Sequence, residues 1–142
     1  MPQEIRNYLA RLDWKEAQPP PVVDLHLYFE GNSEEESIAP NQWGDGRPSI
    51  AELYERFKWI AAQPNVDKVL VGLHFDWNDE STIDNFPPAE NIHILSCASQ
   101  SEVESWVTGL HADGVIQGWP YGKPGNAPEP PQGYTVYSVC WD

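Results

Sequence analysis

Three histidines are the residues of this chain whose types and spacing best suit chemistry. His26, His74 and His93 each stand between apolar neighbours in segments of alternating polarity, so on strands they would project from the face opposite the core. Imidazoles with a carboxylate from Asp24 or Asp76 suit Zn²⁺ or a similar divalent ion. The pattern gives a candidate site for a metal-dependent or small-ligand-binding enzyme. Known zinc-ligand spacings are absent, so we expect no metal and no cofactor.

Two cysteines offer a second chemistry. Cys97 has the same strand phase as His93, so a thiolate with His93 or His74 as its base is one interpretation, and a small buried hydrophobe is the other. Cys97 and Cys140 form no CxxC motif, which is typical of free thiols in a reducing compartment. We expect no disulfide between them, because the predicted first strand would lie between their strands.

Two acidic segments resemble binding loops. Residues 76–84 (DWNDESTID) begin like a calcium loop, but Ser81 and Pro87 stand where Gly and Glu are required. A solvated acidic hairpin loop is therefore the favoured interpretation. Residues 30–37 (EGNSEEES) cluster carboxylates after the first strand, and their Gly and Ser spacing favours exposure and recognition over acid–base catalysis.

The charge of the chain limits its partners. Asp and Glu number 22 against 8 Lys and Arg, a net charge of -14, and no basic residue occurs from Glu16 to Asp45 or between Lys68 and Lys123. Such a surface repels nucleic acids and anionic lipids and attracts cations. We expect a basic protein partner, no nucleic acid and no membrane, as for an immunity or inhibitor protein; a DNA mimic is a further alternative.

The predicted partner contacts are acidic side chains with aromatic anchors. Carboxylates accelerate association with a basic surface, whereas buried aromatic residues slow dissociation. One anchor stands in the Pro-stiffened segment GWPYGKPG, which can instead fold back over the core. The outer sheet face is also a possible homodimer interface. The predicted contact residues are Glu34, Glu35, Glu36, Trp43, Asp79, Glu80 and Trp119.

Motifs of nucleotide and hydrolase chemistry are missing from the sequence. It contains no Walker loop, GxGxxG, GxSxG or HExxH, which disfavours ATP-dependent, dinucleotide-dependent and elbow-type hydrolase chemistry. Whether the protein is an enzyme stays open. The absence of a long apolar run or a signal-like N-terminus predicts a cytoplasmic protein.

The order of elements predicts an α+β fold. Strand, helix, strand, strand, helix, strand is the split βαβ order of ferredoxin-like folds, with a four-stranded antiparallel sheet and two helices on one face. In that fold the first strand pairs with the third. The alternative is another α+β sandwich whose N-terminal helix covers the second sheet face. We predict a single domain (1–142), an appended N-terminal helix (1–18), strands at 22–29, 67–77, 91–97 and 134–141, capped helices from 49 and 99, and a Gly/Pro-rich loop (114–133).

The predicted core follows from the apolar stripe of each element. Trp59 lies about 180° from the stripe of its helix at ~100° per residue, so it needs another cover or remains exposed. The predicted core residues are Val23, Leu25, Leu53, Phe57, Val71, Leu73, Ile94, Val103, Trp106 and Val107.

Several short motifs resemble a family of small uncharacterised bacterial proteins. They are Phe29-Glu30-Gly31-Asn32, Ser37-Ile38, residues 63–71 (QPNVDKVLV) and the terminal Trp141-Asp142. The resemblance covers most of the chain from Val22 onward. The chain departs from the pattern where Pro40-Asn41-Gln42-Trp43 replaces a stretch with Gly, Cys and Asn. The resemblance implies a bacterial cytosolic protein and transfers no catalytic residue.

Overall fold

A computed structural model describes residues 2–40 and 47–141. In these residues the chain forms a mixed α+β fold with four helices and a five-stranded antiparallel sheet. The elements are α1 (Gln3–Ala10), β1 (Val22–Asp24), α2 (Leu25–Phe29), α3 (Ile50–Ala61), β2 (Val66–Leu73), a 3₁₀ turn (Glu80–Thr82), β3 (Ala89–Ser96), α4 (Gln100–Trp106), β4 (Gly114–Gln117) and β5 (Thr135–Cys140).

Both predicted helix starts are present. At α3, Ser49 accepts a hydrogen bond from the Glu52 backbone N–H, while the Glu52 carboxylate accepts from the Ser49 N–H, which completes a capping box. At α4, Ser99 accepts from the Glu102 N–H. These caps satisfy N–H groups that have no partner within the helix.

The strand order corrects the predicted topology. The order is β1-β2-β3-β5-β4, with β1 against β2 in the register Val22↔Gly72, whereas the split βαβ fold would place β1 against β3. The predicted hairpin of β2 and β3 is confirmed. The four-stranded ferredoxin-like arrangement is therefore wrong, while the α+β class with an antiparallel sheet is confirmed. The predicted Gly/Pro-rich loop also begins with a strand, β4, that pairs with β5.

The predicted first strand changes into a helix after three residues. The Asp24 side chain accepts a hydrogen bond from the His26 N–H and so caps α2. Leu25, Tyr28 and Phe29 are then buried on one helical face. The sequence VDLHLYF fits both a period of two and a helical spacing of three and four, and the Asp cap selects the helix. The N-terminal helix is likewise shorter than predicted and ends at Ala10.

The main core lies on the helical face of the sheet. All ten predicted core residues are buried in one cluster, so this prediction is confirmed. Ile5 and Leu9 of α1 belong to the same cluster. The N-terminal helix therefore does not cover the second sheet face, which corrects the alternative sandwich.

The second sheet face is covered by part of the Gly/Pro-rich region. Val22, Leu70, Leu95 and Val136 form a smaller apolar cluster with Ala127, and Trp119 packs against it. We call residues 118–127 the cover segment. Because the cover segment occupies this part of the face, a homodimer through the outer sheet face would have to use the part that the cover segment leaves open.

Amide side chains close both edges of the sheet. Asn126 pairs with edge strand β1 like a short strand, accepting from the Val22 N–H at 3.0 Å and donating to the Val22 carbonyl at 2.7 Å. At the other edge, Gln100 donates to the Val115 carbonyl at 2.7 Å and accepts from the Gln117 amide at 3.2 Å. Such closure limits pairing with another chain.

Candidate functional site

The three histidines lie in different surroundings. His26 is on α2 and contacts the Tyr54 hydroxyl through Nδ1 at 2.7 Å, whereas His93 is buried against β5 and His74 follows β2. The candidate site in which all three histidines project from adjacent strands is therefore not formed, because residue 26 lies on a helix instead of a strand. Across residues 2–40 and 47–141, no group of three or more His, Cys, Asp or Glu side chains is arranged to hold a metal ion.

His93 is a buried neutral imidazole beneath the cover segment. The Ser138 hydroxyl donates to the Gly118 carbonyl at 2.7 Å, so it accepts from His93 Nδ1–H, also at 2.7 Å. The Trp119 ring packs edge-on against the imidazole, with the ring centres 4.7 Å apart. Burial lowers the pKa of His93 to about 3. His93 therefore joins the sheet to the cover segment.

His74 belongs to a second set of contacts with this segment. Its Nδ1 accepts from the Asp76 N–H at 3.1 Å, and its Nε2 lies 3.8 Å from the buried Glu90 carboxylate. Tyr121 donates its hydroxyl to the same carboxylate at 3.1 Å, and its ring packs on Phe75. The aromatic pair of the predicted anchoring loop thus folds back onto the sheet.

The structure does not place the cysteines as predicted for a thiolate–histidine pair. Cys97 is exposed and its thiol lies 3.8 Å from the Asn65 carbonyl, whereas His93 contacts Ser138 instead. Cys97 and Cys140 are both free, as expected, although β1 does not lie between their strands. Burial, with Glu90 nearby, raises the pKa of the Cys140 thiol.

Two acidic loops that are distant in sequence meet on one side of the molecule. We call residues 30–37 the first acidic loop and residues 76–85 the second. The Glu34 carboxylate accepts from the Phe86 N–H at 3.2 and 3.3 Å, at the end of the second loop. A parallel bridge of Ile38 with Ala89 continues the contact. The two blocks that lack basic residues therefore share a surface.

Arg6 of α1 fixes the second acidic loop from within. Its guanidinium donates to the carbonyls of Trp77 at 2.7 Å, Thr82 at 2.8 Å and Asn85 at 3.0 Å. Partial burial lowers the pKa of Arg6, an effect that the nearby Glu34 carboxylate opposes. A protein cation thus binds the loop carbonyls, which are the kind of oxygen that Ca²⁺ would need.

An open cleft of about 500 Å³ lies between α1, α2 and the end of the second acidic loop. Its charged rim is formed by Glu4 and Glu30. Leu27 and Phe86 supply apolar wall, and His26 also lines it. Apolar walls with carboxylates at the rim suit the alkyl stem and cationic head of a Lys or Arg side chain.

The predicted contact carboxylates divide into two groups. Glu34 and Glu35 each accept a backbone hydrogen bond, Glu34 from the Phe86 N–H and Glu35, which is also exposed, from the Ile50 N–H at 2.9 Å. The other three, Glu36, Asp79 and Glu80, are exposed to solvent. Hydrogen bonds from the Ser81 backbone and hydroxyl lower the pKa of Asp79 and keep its charge.

The structure describes one of the two predicted aromatic anchors, Trp119. Trp43 lies outside the described residues, and half-buried Trp119 packs on His93. Trp59 of α3, which was not among the predicted anchors, is 52% exposed. Its position opposite the apolar stripe was the signal that could have identified it.

Comparison with known proteins places the chain in a family. The family described as "Uncharacterized protein YfbO family" matches residues 2–139. The chain belongs to this family. It is 30% identical over 126 residues to the "Uncharacterized protein YfbO" of Escherichia coli (strain K12), which covers 87% of this chain and 84% of that protein. No solved structure matches. Among the described residues, no helix has the length and apolarity to cross a membrane.

In this member of the YfbO family, Asn32 gives the first acidic loop its shape. Gly31 adopts a φ of +75°, which favours glycine. The Asn32 amide donates to the Tyr28 carbonyl at 3.3 Å and to the Ser37 hydroxyl at 3.1 Å, while its oxygen accepts from the Glu34 N–H at 2.9 Å. The loop that carries the acidic side chains is therefore an ordered structure.

Proposed function

We propose that this protein is a non-enzymatic binding module for a basic protein, in the manner of an immunity or inhibitor protein. The observation that carries the proposal is the meeting of the two acidic loops on one surface. We define the anionic surface by its exposed carboxylates, Glu30, Glu35, Glu36, Asp79, Glu80 and Asp84.

The arginines that contact these loops leave most of the carboxylate charge available. Arg6 donates to three carbonyls of the second acidic loop. Arg47 donates to the carbonyls of Glu35 and Ile38. Within residues 2–40 and 47–141, both guanidinium groups thus donate to backbone oxygens and hold the loops in place. A basic partner would supply the countercharge, and its approach would be accelerated electrostatically.

The cleft beside the anionic surface gives the proposal a local contact. Glu4 and Glu30 at its rim would receive the cationic head of one Lys or Arg of the partner, while Leu27 and Phe86 contact the stem. The competing hypothesis of a metal-dependent enzyme depended on the three histidines sharing one site, and they do not. We also propose a cytoplasmic location, where both thiols stay reduced.

The experiment compares two charge-reversed variants with the same net charge. One carries Glu36→Lys, Glu80→Lys and Asp84→Lys on the anionic surface. The matched control carries Glu16→Lys, Asp67→Lys and Glu129→Lys, which are exposed carboxylates outside the anionic surface. Partners are isolated by crosslinking from the native host, and their association rates are measured at low and high salt.

We expect the surface variant to associate at least about 10-fold more slowly at low salt and nearly normally at high salt, because screening removes steering. The association rate of the control variant at low salt should fall much less. Recovery of no basic partner would refute the proposal, as would an association rate that ignores salt. Equal slowing of both variants would show that only net charge matters.

A further inference from the structure

A second surface with different properties lies between α3 and α4. An open groove of about 750 Å³ runs there, lined by Trp59, Trp106, Leu110 and the small residues Ala51 and Gly109. Trp59 stands in this groove with half of its side chain exposed to solvent. A single exposed apolar residue is ordinary on a protein surface, whereas an exposed tryptophan in an apolar groove is the arrangement of a binding anchor.

The groove is held open by a fixed contact between its walls. Arg56 of α3 donates to the carbonyls of Trp106 at 3.0 Å and Thr108 at 2.8 Å, at the end of α4. The other face of α3 is fixed in the core by Leu53 and Phe57. A site that is already formed costs less conformational entropy on binding.

The groove continues toward the edge of the sheet. A neighbouring cleft of about 430 Å³ shares Thr108 and Gly109 with it and extends along Val107 to Val115 of β4. Together the two depressions offer apolar contacts along a path rather than at one point. An amphipathic helix laid in such a groove contacts it through residues three and four apart over several turns.

We propose that the α3–α4 groove binds an amphipathic helix with a basic outer face, carried by the basic partner, with Trp59 as its central contact. The inference rests on the proposed function only for the charge of that partner. Glu52, Glu55 and Glu104 line the two depressions, where Glu55 pairs with Lys58 at 2.7 Å and the lining arginine, Arg56, donates to carbonyls, so carboxylates outnumber cations. A second copy of this chain would bring another net charge of -14 and be repelled. Charge complementarity therefore favours a basic helix.

The test uses three fluorescein-labelled synthetic peptides of 15 residues or so, long enough for several helical turns. The first has a Leu face and a Lys face, the second has the same residues scrambled so that no apolar face forms, and the third has Glu in place of Lys. Fluorescence anisotropy gives the dissociation constant of each peptide for the full chain. Protein variants are Trp59→Ala and a matched control, Ile83→Ala, which removes a side chain that is 48% exposed in the second acidic loop.

We expect the amphipathic basic peptide to bind, and Trp59→Ala to weaken it at least 10-fold while Ile83→Ala leaves it unchanged. The scrambled and acidic peptides should each bind at least 10-fold more weakly. Melting curves of Trp59→Ala and the wild type serve as the control that the variant remains folded. In addition, ¹⁵N NMR should show the Trp59 indole N–H signal shifting with the basic amphipathic peptide.

Other results would overturn the inference. Absence of binding by the first peptide, equal binding of the scrambled or acidic peptide, or unchanged binding by Trp59→Ala would each do so. Salt-sensitive binding that needs the anionic surface but not Trp59 would contradict this inference and leave the proposed function standing. Peptide binding that needs Trp59, together with a natural partner whose association rate ignores salt and the reversals at residues 36, 80 and 84, would contradict the proposed function and leave the apolar groove standing.

Discussion

Protonation of His93 should make the stability of this protein fall steeply in mild acid. The imidazole is buried beneath Trp119, and its pKa in the folded protein is lowered to about 3, against about 6.5 in an unfolded chain. Between those two pH values the unfolded chain binds a proton that the folded protein does not. The stabilisation from keeping His93 neutral is therefore complete above about pH 6.5 and is lost progressively as the pH falls toward 3.

The size of the effect follows from the pKa difference. One pKa unit corresponds to about 1.4 kcal/mol, so lowering the pH from 7 to 5 should reduce the free energy of unfolding by about 2 kcal/mol through His93 alone. The full loss near pH 3 approaches roughly 5 kcal/mol. Such a loss is a large part of the 5–15 kcal/mol or so that is typical of the total stability of a domain.

The assay is urea unfolding at pH 7, 6 and 5, followed by circular dichroism for the wild type and His93→Gln. Glutamine can still donate to the Ser138 hydroxyl but takes up no proton. The pH dependence of the variant's free energy of unfolding therefore reflects the carboxylates without His93. The difference in free energy of unfolding between the two proteins should change by about 2 kcal/mol from pH 7 to 5.

The control is His111→Asn, which replaces an exposed imidazole at a φ of +60° with a residue that tolerates it. The free energy of unfolding of this control should change with pH as that of the wild type does. Parallel pH profiles of the wild type and His93→Gln would refute the reasoning.

Three further substitutions test how the structure is held together. Gly72→Ala should lower the free energy of unfolding by about 1–3 kcal/mol, because the new Cβ would lie 2.5 Å from His93 Nε2, and most of this cost should vanish in a His93→Ala background. Arg6→Ala should cost about 2–4 kcal/mol through the loss of three charge-assisted hydrogen bonds, and should speed proteolysis of the second acidic loop, whereas exposed Arg11→Ala should change stability by less than about 0.5 kcal/mol. Asn126→Ala should cost about 1–3 kcal/mol and open edge strand β1, which light scattering would detect as self-association that rises with concentration; a monodisperse variant of full stability would contradict this role.

The sequence predicts the elements of this fold better than their arrangement. Apolar stripes and the Ser–Glu caps are local signals, so the ten core residues and the starts of α3 and α4 are correct. Strand order depends on contacts between distant residues, which periodicity does not encode. The pattern predicted a strand at 22–29, but it carried no signal that this strand would end after three residues and lie at the sheet edge beside β2.

The candidate site shows the same limit at the level of single residues. The period of two in VDLHLYF supported a strand, and with it a His cluster, until the Asp24 cap began a helix and turned His26 toward Tyr54. Burial of His93 depended on the cover segment, whose Gly and Pro content predicts irregular structure but not where that structure packs. In contrast, helix geometry alone placed Trp59 opposite the apolar stripe of α3, and of the two predicted alternatives the structure shows exposure.

The way in which the acidic loops are held bears directly on binding. A loop with several carboxylates would ordinarily be ordered by cations that pair with those carboxylates, and this would cancel the charge that attracts a partner. Here Arg6 and Arg47 donate to carbonyls instead, and Asn32 shapes the first acidic loop through neutral hydrogen bonds. Order is thus obtained without neutralising Glu36, Asp79 or Glu80. Because the loops need little further ordering, docking of the proposed basic partner would cost little chain entropy, and less of the electrostatic attraction would be offset.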